Sequence, residues 1–442
     1  MTPRKYVIRQ AAALMTSPRL RNMRRAWFEF RRKLRLRPRA IEVFLRAADP
    51  YSYLLLCALP DFIREQKLEV RLRTVQDLPA DMVPRPDLLE AYARLDVQRM
   101  ARMHGFDFPE VIRVPAADLV RAATALLVQC EAEPGLSGID RAIRTLRALW
   151  KNDREFFAKL PGTDGKLNEA RKIILRENEK RLVRLGHYNS AMIYYGGEWY
   201  WGLDRLCHLE KRLAGVSRSA SDARPFTPAR SASSGRIPAR APKNERAGSQ
   251  AIRSQTCDFY FSFRSPYSYL ALERTFAFAD RHELKLNIKL VLPMVMRGLA
   301  VPRAKRFYIL KDAAREAERY GIPFGWICDP VGVGVERCMA GFACATKHNR
   351  EREYLLSAAR MIWSEGGDVA NRRGLSAVVE RAGLDWSEFQ TYLSDESWRS
   401  IAEQNQTDLF ELGLWGVPVF RIGDTIVWGQ DRFDFLESVM RR

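Results

Sequence analysis

The sequence predicts an α/β protein built twice over: two tandem domains, each pairing a small sheet with an inserted helical subdomain. Three observations predict it. The motif Pro-Tyr-Ser-Tyr-Leu occurs at 50–54 and again at 266–270, each time after a β-rich run and at the head of a helix-periodic segment. A stretch of Ser, Ala, Arg, Pro and Gly at 214–253 separates the two copies. The chain has 442 residues, of which 47% are hydrophobic and 11% aromatic, more than one core needs.

In chain order, residues 1–40 form a basic amphipathic arm with 13 Lys/Arg against Glu29 alone, a net charge of +12. Within it Leu20, Met23, Trp27, Phe30 and Leu34 recur at three- and four-residue spacing, one stripe of a helix. Docking of that stripe on the first domain and peripheral attachment to an anionic membrane surface are both open; nucleic acid is disfavoured. Residues 41–213 form the first domain. The segment 214–253 has 8 Lys/Arg against Asp222 and Glu245, a net +6, and almost no large apolar residue, so it is expected to be a disordered linker. Residues 254–442 form the second domain. Arm and linker thus carry nearly all of the chain's formal +20, and the folded domains are close to neutral.

The second domain opens with a strand at 257–263, CDFYFSF. A proline turn and a helix over about 267–281 follow, then a second strand at 284–292. Roughly 110 residues of helical pattern come next, with starts marked by Pro302 and by the Asp385-Trp-Ser-Glu388 capping box. VPVFRI, a turn at Gly423-Asp424 and TIVW make a hairpin, and a last helix begins near 431. The order β-α-β, helical insertion, β-β-α describes a thioredoxin-type sheet. The first domain follows the same order: Tyr92, Asp96, Gly105 and Phe108 match Tyr308, Asp312, Gly321 and Phe324 at a constant offset of 216, which reads as a tandem duplication. Seven cysteines, none with Cys-x-x-Cys spacing, are expected to be scattered reduced thiols, with no zinc or redox site. No run of 18 apolar residues is present, and the N-terminus lacks the apolar region and cleavage site of a secretory leader, so a cytoplasmic protein is expected, with the arm the candidate for any peripheral membrane contact.

The combination FYFSFRSPYSYLA, VPRAK…YI…D, GIPFG and GVPVF…WGQDR resembles the 2-hydroxychromene-2-carboxylate isomerase and kappa-class glutathione transferase family, whose fold is a DsbA-like thioredoxin domain. The resemblance covers nearly all of 256–442; the first domain resembles the family in outline. It implies glutathione as cofactor, with Ser265 contacting the sulfur. Val417 before a cis Pro418 would offer its backbone to the glutathione peptide, Lys305 would contact it as well, and Gln430 with Asp431 would hold the γ-glutamyl end. The segment LPMVMRGLAVP at 292–302 departs from the family's Asn-x-Pro-Pro pattern. Reversible addition of the thiolate to an activated double bond would isomerise an aromatic enone acid; addition to an electrophile would be transfer.

The residues argue independently for Ser265. A strand running into Ser-Pro and then an apolar-periodic helix puts Ser265 at the N-cap and Pro266 at the first helical position. Free N–H groups and the positive end of the helix dipole meet there, and with a hydroxyl they favour a thiolate. The chain has no cysteine at that turn, so the sulfur must come on a ligand.

The first copy has Asp49 instead, an equally good cap whose carboxylate would repel a thiolate. Ser190 and Ala191 stand where Val417 and Pro418 do, Leu203 replaces Gln430, and no lysine matches Lys305. The first domain is therefore expected to keep the fold without the site, as the partner half of an intramolecular pseudo-dimer. A binding scaffold without catalysis is the rival reading, and a disulfide oxidoreductase is disfavoured because both turns lack Cys-x-x-Cys.

Overall fold

The computed structural model describes residues 3–109, 113–133, 135–159, 168–215 and 256–441. Of the segment 214–253 only Ala214 and Gly215 are among them, so the expectation of a disordered linker lies outside the described residues. The chain divides into two compact units: residues 25–241, the N-terminal unit, and residues 1–24 with 242–442, the C-terminal unit.

In the C-terminal unit, β5 (Thr256–Phe261) runs parallel to β6 (Lys285–Leu290) and antiparallel to β7 (Val419–Ile422), which forms a hairpin with β8 (Thr425–Trp428). The order across the sheet is β6-β5-β7-β8. The helix Pro266–Arg281 links β5 to β6, as a parallel pair requires. Helices from Arg303–Tyr320 to Ser397–Glu411 fill the insertion. The first strand stops at Phe261 rather than 263, because Ser262 and Phe263 already belong to the turn: Ser262 O accepts from Ser265 N at 3.0 Å. The capping box is real, with Glu388 N donating to Asp385 Oδ1 at 2.7 Å. Gly423 has a φ of 55°, the left-handed conformation that the tight hairpin turn needs. The last element begins as a single 3₁₀ turn, Gln430–Arg432, and becomes a helix at Phe433–Met440. The core is aromatic, with Phe259 stacked on Phe420 at 5.1 Å and both fully buried.

The N-terminal unit repeats this plan. β1 (Ala40–Leu45), β2 (Glu69–Thr74), β3 (Met192–Tyr195) and β4 (Glu198–Trp201) take the order β2-β1-β3-β4 with the same strand directions.

Three long-range hydrogen bonds recur in both units. Tyr51 Oη donates to Asp96 Oδ2 at 2.7 Å, as Tyr267 Oη does to Asp312 Oδ2 at 2.8 Å. Tyr53 Oη reaches Asp107 O at 2.8 Å, as Tyr269 Oη reaches Pro323 O at 2.7 Å. Asn178 Nδ2 donates to Thr74 O, and Asn405 Nδ2 to Leu290 O, both at 3.0 Å. The repeated Tyr-Ser-Tyr therefore has a structural cause: its two hydroxyls fasten the first helix to the helical insertion in each unit. Burying Asp96 and Asp312 without these donors would be destabilising.

Candidate functional site

Ser265 occupies the N-cap of the helix Pro266–Arg281, with extended backbone (φ −99°, ψ 114°) and Pro266 at the first helical position. Its Oγ accepts from Ser268 N at 3.1 Å and donates to Val417 O at 3.3 Å. The turn in front of it is held on both sides. Trp363 Nε1 donates to Phe263 O at 3.0 Å, and Arg264 pairs bidentately with Asp329 at 2.7 and 2.8 Å. The Val417–Pro418 peptide is cis.

The loop before it is shaped by two indoles. Trp415 and Trp428 meet edge to face at 4.9 Å, and a Cβ on Gly416 would lie 2.6 Å from Trp428, so only glycine fits between them. Ser265 and Val417, 152 residues apart, are thus brought together.

Gln430 and Asp431 form a second cluster. Gln430 is buried, and its carboxamide is committed within the protein. Nε2 donates to Glu316 Oε2 at 2.7 Å and to Asp431 Oδ1, while Oε1 accepts from Arg274 Nη1 at 2.7 Å. Arg274, on the same helix as Ser265, also donates to Gln430 O at 3.0 Å. Its guanidinium lies 4.0 Å over Tyr320 and 4.2 Å over Phe433. Gln430 is therefore a brace behind Asp431, whose side chain is only half-buried. Lys305 sits in the first turn of Arg303–Tyr320, where burial pushes its amine down to about 8 from 10.5.

Sequence reasoning missed Arg274, Glu316 and Arg297. Arg297 lies in the segment that departs from the family pattern; its Nη2 donates to Trp415 O at 2.7 Å, two residues before the cis peptide. Nε and Nη1 are buried with no hydrogen-bond partner, and burial alone pushes the group down to about 10. A desolvated guanidinium with two unmet donors is the kind of group that a carboxylate satisfies. The apolar run around it gave no signal of this.

Burial pushes Cys57, Cys257 and Cys338 each up to about 12. Among the described residues Cys344, His348 and Glu388 bring ligand-type atoms within 4.8 Å of one another. There Glu388 is already bonded to Lys347 at 2.8 Å and His348 at 3.0 Å.

The matching turn of the N-terminal unit is closed. Asp49 is the N-cap of Pro50–Gln66; Oδ1 accepts from Tyr51 N at 3.0 Å, and Oδ2 accepts from Ser52 Oγ at 3.2 Å and Ser190 Oγ at 2.7 Å. Ser190 thus meets the cap where Val417 does in the other unit, and a side chain fills the place beside it. Burial raises the Asp49 pKa against the pull of Arg46 and these donors. The folded unit therefore holds the proton more tightly than the unfolded chain, and its stability falls as pH rises from the ordinary aspartate range through the raised value. Asp49→Asn keeps an acceptor for Tyr51 N and removes the charge. It is expected to raise stability at neutral pH and to flatten that slope, as read from urea midpoints across the acidic range; an unaltered slope would count against the buried charge.

The DSBA-like thioredoxin domain model matches residues 256–441. Over 194 residues the chain is 31% identical to a Pseudomonas putida protein named 2-hydroxychromene-2-carboxylate isomerase, a match covering 42% of this chain and 94% of that one. A protein of the same name from Sphingobium xenophagum is 25% identical over 197 residues, covering 42% of this chain and 98% of that one. A solved structure of a 2-hydroxychromene-2-carboxylate isomerase is 28% identical, covers 42% of this chain and 95% of that chain, and gives a TM-score of 0.37. Through its C-terminal half, the chain belongs to the DSBA-like thioredoxin family, among homologues named 2-hydroxychromene-2-carboxylate isomerase.

Proposed function

We propose that the C-terminal unit is a glutathione-dependent isomerase acting on an aromatic acid of the 2-hydroxychromene-2-carboxylate kind, and that the N-terminal unit, a product of tandem duplication, is its non-catalytic scaffold. The observation that carries the reading is Ser265: a half-buried hydroxyl at a helix N-cap, across from the backbone of a cis-proline loop, in a turn whose sequence has no cysteine. The names of the homologues support the reaction class.

The residues fit glutathione. Arg297 has two unmet buried donors suited to a carboxylate of cofactor or substrate, and Lys305, with its amine near 8, remains mostly protonated at neutral pH and adds a second cation. Asp431, braced by Gln430, would take the γ-glutamyl ammonium, and the Val417 backbone would pair with the peptide. Bound glutathione would supply a thiolate able to add to an activated double bond, to allow rotation while that bond is single, and to leave again as the double bond re-forms.

The chain's part is to keep that sulfur ionised. The Ser265 Oγ–H, which donates a long bond to Val417 O, would turn toward the sulfur while Oγ still accepted from Ser268 N, and the helix N-terminus would stabilise the negative charge. The test is conversion of 2-hydroxychromene-2-carboxylate by the full chain, followed by ultraviolet absorbance. Turnover should require glutathione and fail with S-methylglutathione. Glutathione binding without turnover would remove the isomerase and leave the thiol site.

A further inference from the structure

The Pro18–Leu34 helix carries 7 Lys/Arg and one acid, and among the described residues nothing covers its apolar stripe beyond the half-buried Leu20. Met23, Trp27, Phe30 and Leu34 are 66%, 60%, 55% and 73% exposed, and the Trp27 and Phe30 rings stack at 5.7 Å in solvent. Docking is carried by the opposite face. Arg25 pairs bidentately with Glu198 at 2.7 Å through both nitrogens, and Phe28 meets Tyr195 edge to face at 5.3 Å. Glu29 takes the Tyr195 hydroxyl and the Arg32 guanidinium. The helix is fixed by its polar back, which leaves the apolar front outward.

The edges of that front are cationic. By helical spacing Arg24 and Arg31 flank one side of the stripe and Arg19 the other, and all three are exposed with no acid partner among the described residues. An exposed Trp-Phe-Leu stripe of this size, unaccompanied by acids, suits neither bulk water nor a neutral surface. No helix among the described residues is long and apolar enough to cross a membrane.

We infer that this face lies in the interface of an anionic lipid bilayer, with Trp27, Phe30 and Leu34 entering the acyl boundary and the flanking arginines pairing with headgroup phosphates. The charge complementarity selects lipid over a second copy of the chain, whose own stripe is edged by the same cations and would repel it.

The experiment is sedimentation of the full chain with vesicles of phosphatidylcholine alone or mixed with phosphatidylglycerol. The wild type should sediment with the mixed vesicles, weaken with added salt, and stay in solution with neutral ones. A Trp27→Ser, Phe30→Ser, Leu34→Ser variant and an Arg24→Glu, Arg31→Glu variant should each lose at least about tenfold in partitioning. Both alter exposed positions, so circular dichroism and glutathione affinity should be unchanged. Absence of wild-type binding, or equal binding by both variants, would overturn the inference. So would light scattering that finds a wild-type dimer which the stripe variant dissolves.

Discussion

Replacing Ser265 by alanine is expected to lower turnover roughly a hundredfold, the usual size of one lost donor to a developing anion, with a smaller loss of glutathione affinity, because the thiolate is held less tightly. The hydroxyl serves two partners, accepting from Ser268 N and donating toward the Val417 carbonyl side. Loss of the first is a capping defect of about 1 kcal/mol in stability. Loss of the second removes the side-chain donor at the N-cap itself. Steady-state kinetics separates them: a stability loss alone would leave kcat intact in the folded fraction, whereas the proposed role lowers kcat and leaves the fold.

The largest structural effect is expected at Arg274. Its guanidinium bonds the side-chain and backbone oxygens of Gln430 and lies between the rings of Tyr320 and Phe433. Arg274→Ala leaves two acceptors unmet, opens the space between the rings, and takes a cation from the neighbourhood of fully buried Glu316. A cost of roughly 3–4 kcal/mol follows from unpairing such a network. Because Gln430 braces Asp431, glutathione affinity should fall as well. Arg274→Lys should recover only part of both, since an ammonium cannot span the two oxygens and lie flat between two rings. Denaturant midpoints together with glutathione titration read the two effects.

Much of this fold was legible because it depends on local rules. Ser-Pro after a strand, Asp385 followed by Glu388, Gly423-Asp424 between alternating runs and Pro302 before a helix each act within a few residues, and each is found where the pattern puts it. The clusters around the candidate site were not legible. Gln430 meets Glu316 and Arg274 across 114 and 156 residues of chain, and no spacing rule reaches that far. Arg297 sits in an apolar segment whose divergence from the family was visible, while its position beside the cis-proline loop was not. Periodicity marked the stripe of the Pro18–Leu34 helix but could not say which face docks, because the ion pairs that fix the back face involve Glu198, far along the chain. Asp49 and Ser265 both read as caps; only the structure adds that Ser190 closes the first cap with a 2.7 Å bond.

The central claim is that the start of the Pro266–Arg281 helix holds the sulfur of glutathione as a thiolate. The most direct measurement is an ultraviolet titration of glutathione bound to the full chain, wild type and Ser265→Ala, at saturating protein. In the wild type the bound thiol should ionise well below its value in free glutathione, and in Ser265→Ala that shift should largely disappear. A wild-type titration that matches the free thiol, or one that the substitution leaves unchanged, would contradict the account.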